Sequence, residues 1–358
     1  MLSAIGKSIA ALALAGAIIA AVVAVLGASP IGVFAALWEG AFGSWYAAAD
    51  TIVKATPLIF TGLAVAVAFS GALWNIGADG QLLAGAIAAG AIGPYLGGWP
   101  RPAAIILMLC AGAIGGAIWG GICGWLRARR DTNEVISTIM MNFVAAQLLS
   151  WVVHGPLIEA SGAYPQSMAI APSARMYLPL EPTRLNPAIV LAIVLALGCY
   201  LLLFHSRAGF ELRAMGRNRR AAAFHRIPIA RLTIAVLALS GALAGIGGAV
   251  QVSAITHRLY EKFSPGWGFE AIAVALVARL NPFGIIAAAI FFGALDNGSQ
   301  AMQRIQGVSP VLVQVIQGLV IMILLAFDTP AWARIRGSLF ARARDSAPPI
   351  EPGAQADA

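Results

Sequence analysis

The sequence predicts an all-α polytopic membrane protein with about ten transmembrane helices. Hydrophobic residues make up 60% of the 358 residues and charged residues 11%, whereas ordinary soluble domains carry about 25% charged residues. The apolar residues fall into long runs, and a run of about 20 residues is enough to cross a bilayer as a helix. The runs lie at 8–28, 56–74, 81–97, 103–126, 135–153, 187–204, 232–253, 269–278, 285–303 and 311–327.

Positive charge is distributed unevenly between the predicted loops. With the N-terminus in the cytoplasm, 16 of the 23 Lys and Arg residues lie in inside loops and 7 in outside loops. Because cytoplasmic loops accumulate Lys and Arg, this asymmetry favours a multi-pass topology with both termini cytoplasmic. The same topology explains the net charge of +8, and no basic stripe interleaved with aromatic residues indicates nucleic acid as a partner.

Composition divides the chain into three parts. Residues 1–55 combine a transmembrane helix, read as an uncleaved anchor, with a Trp- and Tyr-containing segment at 31–49 that lies at the membrane interface or forms a short extra span. Residues 56–336 form the transmembrane domain, in which the run at 269–278 is too short to cross unaided. The tail at 337–358 is rich in Pro and Ala and is predicted to be disordered.

One internal similarity suggests an inverted repeat. The sequence Ser-Gly-Ala-Leu, followed by an Ile-Gly pair and a Gln, occurs at 70–81 and again at 240–251. The two copies would run in opposite directions through the membrane, as in transporters built from inverted repeats with broken helices. In a chain so rich in Ala and Gly, a chance match is the alternative.

No catalytic, cofactor or metal site is predicted. The sequence has no GxSxG or HExxH motif, and its four His residues are scattered over loops. The three Cys residues lie in apolar runs without CxxC spacing and are predicted to be buried apolar side chains. Gly6-Lys7-Ser8 lacks the preceding glycine of a phosphate-binding loop, so energy for any active process has to come from another chain.

The most informative polar segment is 73–81. Asn75, Asp79 and Gln81 interrupt apolar sequence together with two glycines, and a carboxylate near the bilayer centre costs about 2.5 to 3.5 kcal/mol on insertion scales. Such residues persist where they line a polar cavity at a helix break. The alternative is a short turn between two spans that water satisfies.

Two further sets of polar residues lie inside apolar runs. Glu134, Thr138 and Asn142 share one helix face, which either lines a solute pathway or joins helices through hydrogen bonds. Asp296 and Gln300 share a face in the ninth run, continued by Gln303, and this face should point inward because lipid cannot satisfy it. Glycines at 112–121 and 241–248 predict close helix packing.

The loop at 205–231 holds seven Arg residues. Asn218 is predicted to cap a short helix through residues 221–223. The loop is either a consequence of topology, with attraction to anionic lipids, or a coupling helix that docks onto an ATPase subunit.

Over about 56–327 the sequence resembles the permease subunits of ABC importers for ribose-type sugars, branched-chain amino acids and nucleosides. It is most similar to the nucleoside-type permeases. The resemblance rests on Pro57-Leu58, Thr61-Gly62-Leu63-Ala64, Asn75-Ile76-Gly77-Ala78-Asp79-Gly80-Gln81, Asn133-Glu134-Val135-Ile136, Thr138, Met141, Asn142, Arg213-Ala214, Gly216, Asn218, Ala221, Ala222, Ser240-Gly241, Leu243-Ala244-Gly245, Ala273-Val274-Ala275-Leu276 and Asn281-Pro282.

The resemblance implies a ten-helix permease of the type II-like importer architecture in the bacterial inner membrane. It implies ATPase subunits that bind ATP and Mg, a second permease and a periplasmic substrate-binding protein as partners, and the extra N-terminal helix favours a heterodimer of permeases. The implied substrates are nucleosides or related nucleobase compounds, with simple sugars such as ribose or galactose as the alternative. The chain departs from the family pattern at Arg217, Arg219 and Arg226, where an acidic residue, Pro and Gly are usual.

The polar residues in apolar runs and the family resemblance together predict which residues line the solute pathway and which contact the ATPase subunits. The expected pathway residues are Asn75, Asp79, Gln81, Asn142, Asp296 and Gln300. The expected ATPase-coupling residues are Arg213, Ala214, Gly216, Asn218, Ala221 and Ala222. The rival hypotheses are an ion-coupled secondary transporter, with Asp79, Glu134 or Asp296 as the coupling carboxylate, and a membrane scaffold without transport activity.

Overall fold

The computed structural model describes residues 29–177 and 182–309, with scattered positions between 16 and 24 and between 311 and 322. Contacts divide the chain into two compact units, 1–30 with 314–358, and 31–313. The few described positions of the first unit are helical, apart from Ser29. Most of the predicted first and tenth spans, and all of the predicted tail at 337–358, lie outside the described residues.

The described part of the chain contains eleven α-helices and no β-strand. A 3-10 turn follows α3 at Gly93–Leu96, another lies at Pro172–Ala174, and a π-helical turn at Val252–Thr256 extends α9. The α-helices are α1 (Pro30–Phe42), α2 (Trp45–Ser70), α3 (Ala78–Ile92), α4 (Arg101–Arg130), α5 (Glu134–His154), α6 (Ala188–His205), α7 (Arg207–Arg217), α8 (Arg219–Phe224), α9 (Ile229–Gln251), α10 (Trp267–Val277) and α11 (Pro282–Gln306).

Six of the helices in the described part are long and apolar enough to cross a membrane, namely α2, α4, α5, α6, α9 with its π-helical turn, and α11. The chain is therefore an all-helical, membrane-embedded protein, whereas the predicted count of about ten spans is not confirmed. The expectation that 269–278 cannot cross unaided is confirmed, because α10 has 11 residues. Helix α3 has 15 residues, or about 22 Å, and most of it is buried among other helices.

The predicted start of the second span is wrong. The predicted span begins at residue 56, but α2 begins at Trp45, where the Ser44 hydroxyl accepts a hydrogen bond from the backbone N–H of Ala47 at 3.1 Å, and continues through Pro57. The segment at 31–49 is thus divided between α1 and the first turn of α2. One consequence is that Lys54, assigned from the sequence to an outside loop, lies within a membrane-spanning helix.

The centre of the fold is a close contact between α4 and α9 through glycine. A side chain added at Gly116 would collide with the backbone at Gly241, and one added at Gly245 with the backbone at Gly112. Helix α3 joins this contact, since a side chain at Gly85 would meet the backbone of Gly245. The close packing predicted from the glycine-rich segments is confirmed.

The predicted inverted repeat is not confirmed. The first copy, 70–81, comprises the end of α2, a non-helical break and the start of α3. The second copy, 240–251, lies entirely within the continuous helix α9. The same short motif therefore adopts two different local structures.

The loop after α5 packs on the segment that follows α9. The backbone N–H of Ile170 donates to the carbonyl of His257 at 2.9 Å, and Met176 donates in the same way to Ser253 at 3.0 Å. Burial lowers the pKa of His257, and the neighbouring charge of Arg175 lowers it further. Residues 166–177 and 253–259 therefore form an ordered cover over one end of the helix bundle, the end that lies away from the arginine-rich loop.

Candidate functional site

The break between α2 and α3 is held by the side chain of Asn75. Its Nδ2 atom donates to Oε1 of Gln81 at 2.9 Å and to Oγ of Ser240 on α9 at 2.8 Å. Its Oδ1 atom accepts from the backbone N–H of Gly77 at 2.9 Å. Asn75 and Gln81 are 0% and 1% exposed, so protein atoms rather than water satisfy this break.

Asn142 fastens the same break to α5. Its Oδ1 atom accepts from the backbone N–H of Gly80 at 2.8 Å, and its Nδ2 atom donates to the carbonyl of Ile76 at 2.9 Å. Thr138, one turn earlier, accepts from the backbone N–H of Ile76 at 3.3 Å. The helix face predicted from Thr138 and Asn142 therefore satisfies backbone groups that the break leaves without helical partners.

Asp79 joins α3 to α10. Its Oδ1 atom accepts from Oγ of Ser264 at 2.7 Å and from the backbone N–H of Gly268, in the first turn of α10, at 3.0 Å. A carboxylate at this position offsets the positive end of the helix dipole. The non-helical break between α2 and α3 and the non-helical segment before α10 are thus joined through the buried carboxylate of Asp79.

A cavity of about 340 Å³ adjoins Asp79. Its wall combines apolar side chains with amide, hydroxyl and charged groups from α5 and from the segment before α10. The lining includes Leu83, Gln147, Ser150, Glu261, Lys262 and Phe263. Such a mixture of apolar walls with hydrogen-bonding groups is suited to a polar organic solute.

Asp296 and Gln300 lie on the surface of this chain rather than in its interior. They share an exposed face of α11 with Gln303. The opposite side of α11 packs on α1 and α2, where Asn297 donates to the carbonyl oxygens of Gly40 and Ala47 at 3.0 and 2.9 Å. Because lipid cannot satisfy the exposed amides and carboxylate, this face requires water or another protein chain against it.

Two charged residues that the sequence prediction missed connect these sites. Lys54 on α2 forms an ion pair with Asp296 at 2.9 Å, and Glu270 on α10 lies within electrostatic range of both Asp296 and Asp79. We call Asp79, Glu270, Asp296 and Lys54 the charged row. No group of three or more His, Cys, Asp or Glu side chains in the described ranges is placed to hold a metal ion.

The sequence contained a signal for one of the two. Lys54 is the single Lys within the apolar stretch 45–70, and a lone basic residue in such a stretch indicates a functional position. Glu270 follows the glycine-containing segment before α10, and its proximity to α3 and α11 depends on tertiary packing. Ser240 belongs to the repeated Ser-Gly-Ala-Leu motif but was not expected at the site, and Ser264 carries no signal in the sequence.

The predicted coupling residues form a compact helical hairpin, α7–α8. The Oδ1 atom of Asn218 accepts from the backbone N–H groups of Arg220 and Ala221 at 3.1 and 3.0 Å, which confirms the predicted cap. Ala214, Ala221 and Ala222 line a second cavity of about 340 Å³ between the two helices. Phe224 beside it is 93% exposed, so this end of the hairpin offers an apolar side chain to a partner.

The hairpin also contacts the end of α2. A side chain at Gly216 would lie 2.5 Å from the carbonyl oxygen of Ser70, and one at Gly71 would lie 3.1 Å from the Met215 methyl group. Gly71 is followed by Ala72, which has a φ of +53°, and the chain then enters the break held by Asn75. A displacement of α7 would therefore be transmitted to the break through direct contact.

Comparison with protein families gives one match over most of the chain. Residues 47–325 match the family described as "branched-chain amino acid transport system / permease component". No solved structure matches the chain.

Three curated proteins illustrate the similarity. The guanosine ABC transporter permease protein NupP of Bacillus subtilis is 34% identical over 81% of this chain and 84% of its own length. The nucleoside ABC transporter permease protein NupB of Lactococcus lactis is 32% identical over 82% of this chain and 83% of its own. The glucose ABC transporter permease protein TsgB13 of Haloferax volcanii is 32% identical over 97% of this chain and 93% of its own.

Proposed function

The chain belongs to the family of branched-chain amino acid transport system permease components, and we propose that it carries nucleosides or related nucleobase compounds as the permease of an ATP-binding cassette importer. The observation that carries the choice of substrate is the similarity to NupP and NupB, at 34% and 32% identity over more than four fifths of the chain. The cavity beside Asp79, with its mixed apolar and hydrogen-bonding lining, supports a polar organic solute.

A simple sugar is the second candidate substrate. The specific observation in its favour is TsgB13, a glucose permease by name, which matches over 97% of the chain. An ion-coupled secondary transporter has no support in these relatives, all three of which are named as ABC transporter permeases.

The proposed pathway follows the charged row. Asp296 and Gln300 are exposed in the single chain and would face the solute or a second permease, while Asp79 would meet the solute in the adjoining cavity. Asn75, Gln81 and Asn142 are buried, and we propose that they reach the pathway when the break between α2 and α3 opens.

The proposed assembly contains a second, distinct permease against the exposed face of α11, so that the two form a heterodimer. ATPase subunits, which bind ATP and Mg, would dock on the α7–α8 hairpin through the predicted coupling residues, with Phe224 as an added anchor. A periplasmic binding protein would deliver solute near the loops at 154–186 and 256–268. We propose that the membrane is a bacterial inner membrane, which the chain crosses about ten times with both termini in the cytoplasm, as the distribution of Lys and Arg favours.

The test is uptake by proteoliposomes that contain the permease pair and the ATPase subunits, with labelled guanosine and the binding protein added outside. We expect uptake that requires internal ATP and that excess unlabelled nucleoside abolishes while excess glucose does not. Competition by glucose alone would favour the second candidate. Uptake that continues without the ATPase subunits and collapses with an ionophore would overturn the proposal.

A further inference from the structure

The carboxylate of Asp79 uses only one of its two oxygens within the protein. Oδ1 accepts from the hydroxyl of Ser264 at 2.7 Å and from the backbone N–H of Gly268 at 3.0 Å. Because a carboxylate oxygen has two lone pairs, these two bonds saturate Oδ1. Oδ2 has neither a hydrogen bond nor an ion pair to any group in the described part of the chain, so both of its lone pairs are available.

Oδ2 of Asp79 faces an opening, although the residue is nine-tenths buried. Asp79 is 9% exposed, and Oδ2 is not one of the fully buried side-chain atoms that lack a partner. This oxygen therefore retains accessible surface, and the opening that Asp79 borders is the cavity of about 340 Å³ between α3, α5 and the segment before α10. A carboxylate oxygen in so enclosed a place needs a hydrogen-bond donor, which either water or a solute supplies.

The other groups that line this cavity indicate the kind of donor that fits. The side-chain amide of Gln147 both donates and accepts, the ammonium group of Lys262 only donates, and Leu83 adds apolar surface. A hydroxyl can donate to Asp79 and accept from Gln147 or Lys262 at the same time, whereas a ring N–H can only donate. Two hydroxyls on adjacent carbons would use both lone pairs of Oδ2. The lining therefore favours a solute that carries neighbouring hydroxyl groups.

We propose that Asp79 determines specificity for ribonucleosides, with Oδ2 accepting hydrogen bonds from the 2′ and 3′ hydroxyl groups of the ribose. This inference rests on the proposed function and adds which part of the solute the permease recognises. Hydrogen bonds to a charged acceptor are about twice as strong as those between neutral groups. A site built to bind a hydroxyl rejects an analogue that lacks it, because the buried polar group of the site is then left unpaired. A 2′-deoxyribonucleoside lacks one of the two donors and should be carried more slowly.

The experiment compares labelled guanosine, inosine and 2′-deoxyguanosine in ATP-dependent uptake by proteoliposomes that hold the complete importer. Inosine lacks the amino group of the guanine base, and 2′-deoxyguanosine lacks one hydroxyl of the sugar. Asp79→Asn keeps an oxygen for the bonds of Oδ1 but places an amide donor where Oδ2 stood. We expect this variant to lower the ratio of guanosine uptake to 2′-deoxyguanosine uptake about fivefold and to leave the ratio of guanosine to inosine unchanged.

Both ratios separate recognition from stability. Each compares two solutes on one preparation, so the amount of folded protein cancels, and the binding protein's own preference is the same for both permeases. Asp50→Asn removes an exposed carboxylate of α2 outside the cavity and should leave both ratios unchanged. If the binding protein delivers too little 2′-deoxyguanosine, the unfolding temperature of the purified permease pair with millimolar inosine or 2′-deoxyinosine gives the same comparison.

Three results would overturn the inference while leaving nucleoside import standing. They are an unchanged ratio of guanosine to 2′-deoxyguanosine in Asp79→Asn, a changed ratio of guanosine to inosine, which would place recognition by Asp79 on the base, and equal shifts of the unfolding temperature by inosine and 2′-deoxyinosine in the wild type. Failure of the proposed function has a different signature. Wild-type proteoliposomes would then take up none of the three solutes in response to ATP, and the inference would fall with it.

Discussion

Asp79 on α3 accepts a hydrogen bond from the backbone N–H of Gly268, so that a side chain of one interrupted element caps the helix of the other. The two residues are 189 positions apart in sequence. Their contact lies at the first turn of α10 and accompanies a position of Glu270 near the charges of Asp79 on α3 and Asp296 on α11. A shift of α3 would therefore change the hydrogen bond to Gly268 and with it the position of the first turn of α10.

Two replacements of Asp79 should distinguish the contribution of its charge to stability from the contribution of its hydrogen bonds. We expect Asp79→Asn, which keeps an acceptor, to lower the free energy of unfolding by about 0.3–1 kcal/mol through the lost interaction with the helix dipole. Asp79→Ala leaves the Ser264 hydroxyl and the Gly268 N–H without their partner and should cost about 1–3 kcal/mol. Thermal unfolding in detergent measures both, and Asp50→Asn at an exposed position is the control. Equal effects of the two Asp79 variants would contradict the assigned cap.

The neighbouring glycines Gly120 and Gly121 on α4 provide a matched pair. A Cβ at Gly120 would lie 3.0 Å from Nε2 of Gln81 and closer still to the carbonyl oxygen of Leu237, whereas one at Gly121 would lie 3.7 Å from its nearest neighbour. We expect Gly120→Ala to destabilise the protein by about 1–3 kcal/mol through overpacking. Gly121→Ala should be neutral or stabilising, because Ala favours the helix. Similar unfolding temperatures for the two variants would show that α4 and α9 are not in contact at Gly120.

Asn142 and Gln300 should differ in what their removal changes. Asn142→Ala leaves the N–H of Gly80 and the carbonyl of Ile76 unpaired and buried, so we expect a loss of stability of about 1–3 kcal/mol. Gln300→Ala removes an exposed amide and should leave the unfolding temperature unchanged while it raises the apparent KM for uptake. The unfolding temperature and the uptake kinetics of each variant, measured on the same preparations, distinguish a structural role from a role in the pathway. A stable Asn142→Ala protein with altered KM alone would reverse the assignment of the two residues.

The ion pair between Lys54 and Asp296 should matter more for uptake than for stability. Both side chains are partly exposed, so the pair contributes at most about 1 kcal/mol to folding. We expect Lys54→Ala to reduce uptake several-fold at nearly unchanged unfolding temperature, because it leaves the exposed Asp296 as an uncompensated charge on the proposed pathway. Asp296→Ala should reduce uptake as well but also lower the unfolding temperature, because Nζ of Lys54 is buried and would lose its partner. The exchange of the two residues, Lys54→Asp with Asp296→Lys, should recover part of the activity. No recovery in the exchanged protein would mean that the two charges act separately.

His257 should make the cover formed by 166–177 and 253–259 sensitive to acid. Its pKa is lowered in the folded protein by burial and by Arg175, so the unfolded segment binds more protons. Stability is therefore full above the ordinary pKa of His, about 6.5, and falls as the pH drops below it. The protection factors of these residues in hydrogen exchange, which correct for the intrinsic exchange rate at each pH, should be lower at pH 5.5 than at pH 7.5 in the wild type and less pH-dependent in His257→Asn. Asn suits this position because φ is +56°.

Local patterns in the sequence predicted the local features well. The cap at Asn218, the shortness of α10 and the glycine contact between α4 and α9 each depend on residues close together in sequence or on one helix face. The predicted start of α2 at residue 56 was wrong because Asp50 and Lys54 interrupt the apolar run, whereas the helix extends back to Trp45. That one error moved Lys54 from the membrane to a loop.

The partners of the polar residues could not be predicted. Asn75 was recognised as unusual, but its bond to Ser240 joins residues 165 positions apart, and nothing in either segment specifies the other. The two hypotheses for the break, an open polar lining and a water-satisfied turn, both omitted what the structure has, a set of buried amides that satisfy one another. A single sequence reports that a polar group needs a partner but does not say which.

The glycine contact between α4 and α9 has a mechanical consequence. Where backbone touches backbone, no side chain can change its rotamer to let one helix slide, so the two helices can only travel as one body. Helices α4 and α9 therefore form a rigid pair, relative to which other helices of the protein could move. Any alternation between two open states would then have to leave the relative position of α4 and α9 unchanged.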